Sequence, residues 1–434
     1  MKLLNSSTGE LVDIADQRVT IYNCGPTVYN YVHIGNVRPL VIFDVLHRFL
    51  LNQHKEIVYI QNITDVDDKI IKAAAEEGIS EKELTSRYTQ AYLDIFQLLN
   101  IRQVLMPNVS EHMDEIIAYI SSLIERDAAY VVDGDVYFDV SKIRDYGHIS
   151  HQNPANLMNG VRKENMANKR SPLDFALWKK TSEGVNWDSP WSKGRPGWHT
   201  ECCVLINKYA GDHVTIHGGG VDLKFPHHEN ENAQNVATYG RDIADVWMHV
   251  GHINVEGAKM SKSLHNFILV KDLVNVDNAN GLRWFFYKAK YQQPVNFSKE
   301  LLEEANAEVK SVIKALSVAK TYNIANNMFF SEAAQLDPVF AAALSDDLNL
   351  PNAITALQEQ TRILNTYIRD KKFFESNKLC NVIAKEFEIL GIKFESEKHL
   401  KSIDEIKRWK EAVDSKNYTE ADELRRLLTE KGLL

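Results

Sequence analysis

The first 60 residues contain a short apolar run, a longer helical pattern and a second apolar run. Residues 19–24 and 57–60 have the length and composition of buried strands. Between them apolar residues recur at helical spacing, and Pro39 is expected in the first turn of that helix, where its missing N–H does little harm. This order predicts a βαβ unit and hence a parallel, doubly wound sheet. Ligands of such sheets bind at the carboxyl ends of the strands, where the loop from Cys24 to Asn36 would lie.

The hydrophobic pattern changes near residues 109, 196 and 300. Residues 109–195 combine amphipathic stretches with a loop-rich run beginning at residue 153, which predicts an insertion that splits the sheet. Apolar runs at 214–216 and 246–248 predict later strands of the same sheet, and the pattern beyond residue 300 predicts a helical bundle. The predicted units are the two halves of the sheet (1–108 and 196–250), the insertion (109–195), a loop-bearing connection (251–300), the bundle (301–396) and a helical hairpin (397–434).

Composition is that of a globular protein with several structural units. At 434 residues the chain suggests about three units, given roughly 150 residues per domain. It has no run of about 20 apolar residues that could cross a bilayer and no secretory signal at its start, and its four cysteines are too few for a disulfide framework. We therefore expect a cytoplasmic protein without a membrane partner. The net charge of -9 argues against non-specific coating of nucleic acid.

Two segments carry residues that could bind phosphate. His33, Gly35 and Asn36 stand where the first strand and its loop give way to the helix, and helix N-termini offer free N–H groups and partial positive charge. Alone, this pattern is more typical of a glycine turn with a capping asparagine. In the second segment, Lys259 and Lys262 are three apart with interleaved hydroxyls, so they can neutralise a triphosphate while their loop closes over it. Together the two segments predict nucleotide binding.

A third group of residues has the chemistry of a metal site. His227 and Glu231 are four positions apart after Pro226, which places both on one face of a helix. Cys24 lies on the predicted phosphate loop, and Cys202 follows a segment rich in glycine and aromatic residues. Thiolate and imidazole ligands favour zinc over magnesium or calcium.

The remaining cysteines and two further histidines have simpler interpretations. Cys203 and Cys380 are expected to be small apolar core residues, with Cys203 pointing away from Cys202 if that segment is extended. For His217 and His228, hydrogen bonding is favoured over metal coordination.

With these three groups in view, the chain resembles the cysteinyl-tRNA synthetases, class I enzymes with a Rossmann-type sheet. The resemblance covers most of the first 300 residues and is carried by residues 24–29, 33–36, 62–69, 171–179, 195–202, 217–222, 226–231 and 259–263. It implies ATP-dependent activation of L-cysteine and its transfer to the 3′ end of tRNA-Cys by a monomer. The helical bundle would then bind tRNA, and the insertion would receive its acceptor end.

The resemblance also implies roles for individual residues. Zinc, bound by Cys24, Cys202, His227 and Glu231, would select the thiol, and Mg²⁺ would accompany ATP. Catalysis would depend on His33, Asn36, Lys259 and Lys262. The residues implied in ATP binding are Thr27, His33, Gly35, Asn36, Lys259, Ser261, Lys262 and Ser263. Those expected to border the amino acid or its adenylate are Thr64, Trp198 and Asp222.

Two features depart from the family pattern, and three alternatives stay open. His265 stands where relatives commonly have glycine, which predicts a stiffer hinge, and the chain stops at Leu434, which predicts a shortened anticodon-binding region. One alternative is a ligase that transfers cysteine to an amino sugar, as in mycothiol biosynthesis. Another is a non-catalytic paralogue that binds RNA or senses zinc. The third is a structural zinc that never meets the substrate.

Overall fold

The structure is a computed structural model that describes residues 1–153, 168–255, 257–260, 267–328 and 334–434, with only the backbone at residues 258 and 259. Its strands are β1 (Lys2–Asn5), β2 (Glu10–Asp13), β3 (Arg18–Asn23), β4 (Glu56–Ile60), β5 (Ala129–Val132), β6 (Asp135–Phe138), β7 (Phe175–Lys180), β8 (Trp187–Asp188), β9 (Lys193–Pro196), β10 (Val214–Gly220), β11 (Ala244–Val250), β12 (Ile253–Val255), β13 (Ala258–Lys259) and β14 (Val295–Phe297).

The α-helices lie between the later strands and after the last one. They are α1 (Ile34–Asn52), α2 (Asp68–Glu77), α3 (Glu81–Leu98), α4 (Met113–Glu125), α5 (Trp198–Ala210), α6 (Glu229–Tyr239), α7 (Val270–Leu273), α8 (Ala279–Tyr287), α9 (Lys299–Ala325), α10 (Pro338–Ser345), α11 (Leu350–Arg369), α12 (Phe373–Leu390), α13 (Ser396–Lys401), α14 (Ile403–Asp414) and α15 (Tyr418–Glu430). Among the described residues, no helix is both long and apolar enough to span a membrane.

A parallel four-stranded sheet lies at the centre of the protein, in the order β11-β10-β3-β4. The predicted α/β class, with a doubly wound parallel sheet and a helical C-terminal region, is therefore confirmed. From β3 the chain crosses over through α1 to β4 on one side, whereas β10 is followed by β11 on the other side. The strand order thus reverses between β3 and β10, and this reversal leaves a crevice at their carboxyl ends.

Helix α1 begins three residues earlier than its apolar pattern suggested. The side-chain Oδ1 of Asn36 accepts the backbone N–H of His33 at 3.3 Å and closes the first turn at Ile34. The expectation that Pro39 lies in the first turn was therefore wrong, because Pro39 falls in the second turn. There it leaves the carbonyl of Gly35 without the N–H that the helix would otherwise supply.

The insertion contains an antiparallel five-stranded sheet, in the order β5-β6-β7-β9-β8. The expectation of a loop-rich run up to residue 196 was wrong for the part that forms β7, β8 and β9. Phe175, Leu177 and Trp178 of β7 are buried in an apolar cluster together with α4 and α5. This burial outweighs the local lysine- and glycine-rich composition, which by itself is typical of a loop.

The helical region packs directly on α1, so the sheet and the bundle share one apolar core. At their junction the buried guanidinium of Arg283 (α8) donates to Asp44 (α1) at 2.6 Å. The same guanidinium donates to the backbone carbonyls of Leu99 and Leu390, at 2.8 and 2.9 Å. Because a buried charge is tolerated only when it is paired and hydrogen-bonded, these contacts fix α1 against the bundle.

Among the described residues of the bundle, one buried carboxyl, that of Glu386, has no such charge partner. Glu386 (α12) accepts the N–H of Asp337 at 3.1 Å and the Nε2 amide of Gln360 at 2.9 Å. Burial raises the pKa of Glu386 from 4.5 to about 8. Because this pKa is higher in the folded than in the unfolded chain, Glu386 contributes stability that is fully present below pH 4.5 and is lost as the pH rises through 8.

The substitution Glu386→Gln should therefore stabilise the protein increasingly as the pH rises. We expect the Tm difference between variant and wild type to grow by a few degrees from pH 5 to pH 8.5, since about 1 kcal/mol moves the Tm of a domain by roughly 2–4 °C. Thermal unfolding followed by circular dichroism measures it. The control is Glu388→Gln, an exposed carboxylate on the same helix. A Tm difference for Glu386→Gln that is the same at both pH values would contradict the expectation.

Candidate active site and metal centre

A cavity of about 270 Å³ opens at the crevice between β3 and β10. One wall is the loop that joins β3 to α1, and the opposite wall is the turn that follows β10. The residues that line it include Cys24, Thr27, His33, Gly35, Asn36, Lys69, Trp198, Asp222 and Phe267. The cavity therefore lies where parallel sheets bind their ligands.

Four predicted metal ligands meet at the floor of this cavity. Cys24 follows the last residue of β3, and Cys202 lies in α5. His227 lies in the helical turn just before α6, and Glu231 lies in the first turn of α6. Their ligand atoms all lie within 4.8 Å of one another. Cys24 Sγ is 4.0 Å from Cys202 Sγ and 3.7 Å from Glu231 Oε1, and His227 Nε2 is 3.7 Å from Cys202 Sγ and 2.6 Å from Glu231 Oε1.

This donor set fits a zinc ion. Two sulfurs, one imidazole nitrogen and one carboxylate oxygen are the ligands that Zn²⁺ accepts in tetrahedral sites. Two Zn–S bonds of about 2.3 Å at a tetrahedral angle would separate the sulfurs by about 3.8 Å, close to the distance found. Cys202, His227 and Glu231 are buried, whereas Cys24 is half-buried and faces the cavity. An ion held there would be reached from the cavity on the Cys24 side.

Protonation in the metal-free protein follows from the same contacts. Burial alone would raise the pKa of Cys202, but hydrogen bonds from Cys24 and His227 outweigh it and lower that pKa to about 7. Burial would lower the pKa of His227, yet attraction to Glu231 raises it to about 10. Burial and the neighbouring Cys202 raise the pKa of Cys24 well above its ordinary value. The Cys202 thiol therefore releases its proton on metal binding more readily than an ordinary cysteine does.

Further histidines surround the four ligands. His217 Nε2 lies 2.5 Å from Glu231 Oε2, and His199 Nδ1 lies 2.9 Å from His227 Nδ1. His228 lies between Cys24 Sγ, at 3.4 Å, and His249 Nε2, at 2.8 Å. A second set of donors, Cys24, His217, His228 and Glu231, also has its ligand atoms within 4.8 Å of one another. The sequence favoured hydrogen bonding for His217 and His228, and both make such contacts.

Sequence reasoning did not identify His199 or His249. Burial lowers the pKa of each to about 3, so both imidazoles are neutral and suited to orient neighbouring rings by hydrogen bonds. The only signal in the sequence was position, because His249 lies near the carboxyl end of a predicted strand and His199 lies three residues before Cys202. Position alone does not show which face of an element points to the site.

The segment around Cys202 is helical rather than extended. It forms α5, so the geometric reason given for Cys203 pointing away was wrong. Successive residues of a helix differ by about 100° in direction, and Cys203 Sγ accordingly contacts the backbone carbonyls of His199 and Glu231, each at 3.4 Å. Cys203 is buried, as expected for a core residue, and so is Cys380.

The predicted phosphate-binding residues lie at the other end of the cavity. His33 packs edge-on against Phe267, with ring centroids 4.3 Å apart. The backbone of this loop pairs with the segment after the lysine motif, where Ile34 N–H donates to Ile268 and Val270 N–H donates to Val32. The helix N-terminus is therefore held against the chain that carries the second nucleotide motif.

Gly35 is closely surrounded by these residues. A Cβ atom at Gly35 would stand 2.9 Å from both His33 Nδ1 and Met260 Cε. Met260 belongs to the lysine motif, so Gly35 is also the point at which the two predicted nucleotide motifs approach each other. Any side chain here would have to displace the His33 ring or the Met260 methyl group.

Most of the lysine motif lies outside the described residues. Ser261, Lys262, Ser263 and His265 all lie outside the described residues, so the stiffer hinge expected from His265 stays a prediction. The backbone of Lys259 is described and pairs with Asn254 in a short antiparallel ladder.

The residues expected to border the amino acid occupy different positions. Trp198 and Asp222 line the cavity, and the Trp198 ring stacks on His227 with centroids 4.0 Å apart. Thr27 also lines the cavity, and its backbone pairs with that of Thr64 in an isolated parallel β-bridge. Thr64 itself is buried behind this wall and donates its hydroxyl hydrogen bond to Glu201 at 3.0 Å.

Comparison with known proteins identifies the family. Residues 10–307 match the model described as "tRNA synthetases class I (C) catalytic domain", and residues 339–395 match the DALR domain. The chain is 45% identical to the cysteine--tRNA ligase of Ureaplasma parvum, with all of both chains covered. The chain belongs to the cysteinyl-tRNA synthetase family. The cysteine--tRNA ligase of a Geobacillus strain is 40% identical, with 96% of this chain and 92% of the relative covered.

Solved structures of other class I synthetases share the fold. A methionyl-tRNA synthetase of Mycobacterium tuberculosis in complex with methionyl-adenylate superposes with a TM-score of 0.60 at 13% identity, over 86% of this chain and 89% of that one. A leucyl enzyme of Agrobacterium radiobacter K84, described as a LeuRS–tRNA–LeuAMS ternary complex, gives 0.64 at 10% identity, over 87% and 85%. At such identities the likeness establishes the fold alone.

The close packing around Gly35 predicts that Gly35→Ala weakens nucleotide binding. The added methyl group displaces His33 or Met260, and we expect the affinity for ATP to fall by about tenfold, or 1.4 kcal/mol. Isothermal titration with ATP measures it. The control is Gly78→Ala, at a left-handed helix C-cap with open space around it, which should lower the Tm without changing ATP affinity. Wild-type ATP affinity in Gly35→Ala would contradict the expectation.

Proposed function

We propose that this member of the cysteinyl-tRNA synthetase family activates L-cysteine with ATP and transfers it to the 3′ end of tRNA-Cys. One observation carries the proposal: Cys24 belongs both to a four-residue zinc-type donor set and to the wall of the cavity that ends at the N-terminus of α1. A thiol at the metal end would then lie in the same cavity as a nucleotide at the helix end. The family relatives that cover the whole chain are named for this activity.

The activation step requires the amino-acid carboxylate to be held in line with the α-phosphate of ATP. A carboxylate oxygen attacks the α-phosphorus, the bond to the bridging oxygen breaks, and pyrophosphate leaves. The N-terminus of α1, with its partial positive charge, and the side chains of His33 and Asn36 line the cavity, where they can bind the phosphate oxygens. Asn36 turns its Oδ1 back to the His33 backbone, which leaves its Nδ2 group to donate.

The lysine motif and Mg²⁺ complete the proposed nucleotide site. We assign Lys259 and Lys262 to the charge that builds on the phosphoryl oxygens and on the departing pyrophosphate, together with Mg²⁺. Support comes from Met260 of the same motif, whose methyl group packs beside Gly35. Ser261 and Ser263 are proposed as additional hydroxyl donors to the nucleotide.

In the transfer step the ribose of the terminal adenosine accepts the amino acid. Its hydroxyl oxygen attacks the carbonyl carbon of the adenylate, the bond to the phosphate oxygen breaks, and AMP leaves. We propose that residues 109–195 receive the acceptor end, that residues 251–300 carry the lysine motif and contact the stem, and that the helices of residues 301–396 bind tRNA. The hairpin of residues 397–434 is proposed as an anticodon-binding region.

Selection of cysteine over serine is the most demanding part of this function. The two amino acids differ by sulfur for oxygen, and pocket shape alone gives about 10- to 200-fold discrimination. Zinc bound by Cys24, Cys202, His227 and Glu231 supplies a soft Lewis acid, which a thiol of pKa about 8.5 ligates far better than a hydroxyl. Trp198, stacked on His227, forms the adjoining wall, and Asp222 places a carboxylate in the same cavity.

Removal of single ligands should abolish both the metal and the selectivity. We expect wild-type protein to hold one zinc per chain and to activate cysteine more than 200-fold better than serine, beyond the reach of shape alone. Cys24→Ser and His227→Ala should lose the metal and most of that preference. Elemental analysis and amino-acid-dependent ATP–pyrophosphate exchange measure the two properties.

The control for these ligand variants is His213→Ala, a partly exposed histidine that pairs with Asp212 away from the site. It should keep both zinc and selectivity. Retention of metal and preference by Cys24→Ser and His227→Ala, or similar activation of serine and cysteine by the zinc-loaded wild type, would contradict the proposed role.

The molecule that receives the activated cysteine distinguishes a tRNA ligase from a ligase that acts on an amino sugar. We expect cysteine to be transferred to tRNA-Cys and not to a glucosaminyl-inositol, because the chain continues through a helical region with a DALR match. Acid-precipitable radiolabelled cysteine on purified tRNA-Cys, with anticodon variants alongside, measures transfer. Transfer to the sugar alone would favour the amino-sugar ligase, and background pyrophosphate exchange would favour a non-catalytic paralogue.

A further inference from the structure

The two cysteines of the donor set come from distant parts of the chain. Cys24 and Cys202 are separated by 178 residues, yet their sulfurs lie 4.0 Å apart. Neither segment pairs with the other through a backbone ladder, since Cys24 directly follows a strand and Cys202 lies in a helix. Something else must set the distance between the two sulfurs.

A chain of side-chain hydrogen bonds joins the residues next to these cysteines. The N–H of Gly25 donates to Asn62 Oδ1 at 2.8 Å, Asn62 Nδ2 donates to Thr64 Oγ1 at 2.9 Å, and Thr64 Oγ1 donates to Glu201 Oε2 at 3.0 Å. Gly25 follows Cys24, and Glu201 precedes Cys202. We call this chain of Asn62, Thr64 and Glu201 the polar bridge.

The directions of the first two bonds in the polar bridge are determined. A backbone N–H can only donate, so Asn62 must present its oxygen to Gly25 and therefore its amide nitrogen to Thr64. The Thr64 hydroxyl accepts that bond and donates its own proton to Glu201 Oε2. The three bonds link the Cys24 loop to the Cys202 helix.

The surroundings make the polar bridge costly to break. Asn62, Thr64 and Glu201 are each at most 2% exposed, so a lost partner leaves a polar group unsatisfied in the interior. The Cys24 loop is also held through its backbone, because Thr64 N–H donates to Pro26 and Val28 N–H donates to Thr64, each at 3.1 Å. A Cβ on Gly25 would stand 1.6 Å from the Asn62 carbonyl oxygen, so the loop lies directly on this segment.

We propose that the polar bridge holds the Cys24 and Cys202 sulfurs at the separation that zinc requires. The inference rests on the proposed function, since it assumes that the donor set binds zinc. Asn62, Thr64 and Glu201 are then positioning residues for the metal: none is in the donor set, yet they set how well the site is formed before the ion arrives. Partners outside the ligand shell typically change metal affinity by about 10- to 100-fold.

The test compares substitutions that break the polar bridge with substitutions that keep it. Thr64→Val keeps the shape of the side chain and removes the hydroxyl, so it should weaken zinc binding by about 10- to 100-fold. Thr64→Ser keeps the hydroxyl, and Glu201→Gln keeps an oxygen that accepts from Thr64, so both should bind zinc within about threefold of wild type, well short of that range. Competition with a chromogenic chelator in the absence of amino acid and ATP measures affinity.

The control is Thr215→Val in β10, where the hydroxyl bonds to Thr20 of β3 at the other end of the same sheet. It should leave zinc affinity unchanged, and the Tm of each apo-protein shows that it is folded. Wild-type affinity in Thr64→Val would overturn the inference. So would a Glu201→Gln defect equal to that of Thr64→Val, because Glu201→Gln retains an oxygen that accepts from Thr64. Failure of wild-type protein to bind zinc would instead contradict the proposed function itself.

Discussion

The parallel pairing of β3 with β10 is the constraint on which the site depends. These strands are nearly 200 residues apart in the chain, and their register places Tyr22 beside His217 and Asn23 beside Gly218. Cys24 therefore leaves the sheet beside the histidine that contacts Glu231. A slip of one residue would turn every side chain of β3 to the opposite face and separate Cys24 from the other ligands.

A single loop then serves both ends of the cavity. It begins with Cys24 at the donor set and ends with His33 and Asn36 at the N-terminus of α1, so the geometry of one end constrains the other. Helix α1 is fixed in turn by Arg283 and Asp44 at its junction with the bundle. Contacts far from the cavity can thus influence where the loop holds a substrate, through one rigid helix.

The floor of the cavity is unusually polar for a buried region. It is tolerated because its groups satisfy one another: Glu231 lies between His217 and His227, and His228 bonds to His249. Burial lowers the pKa of His199, His228 and His249, so these three imidazoles add no positive charge around the donor set. Neutral imidazoles can orient ligands without repelling a cation, which is compatible with a divalent metal at this position.

The sequence by itself determined the α/β class, the strand–helix–strand order of the first 60 residues, the helical C-terminal region and the chemistry of the donor set, because these depend on local periodicity and residue type. Tertiary structure decided what local pattern could not. Burial of Trp178 and its neighbours made strands from a segment with the composition of a loop, and the cap from Asn36 moved the start of α1 away from its apolar pattern. The positions of His199, Glu201 and His249 at the site depend on how α5 and β11 pack. Side chains that are distant in sequence come into contact only after the strands have paired and the helices have packed on the sheet.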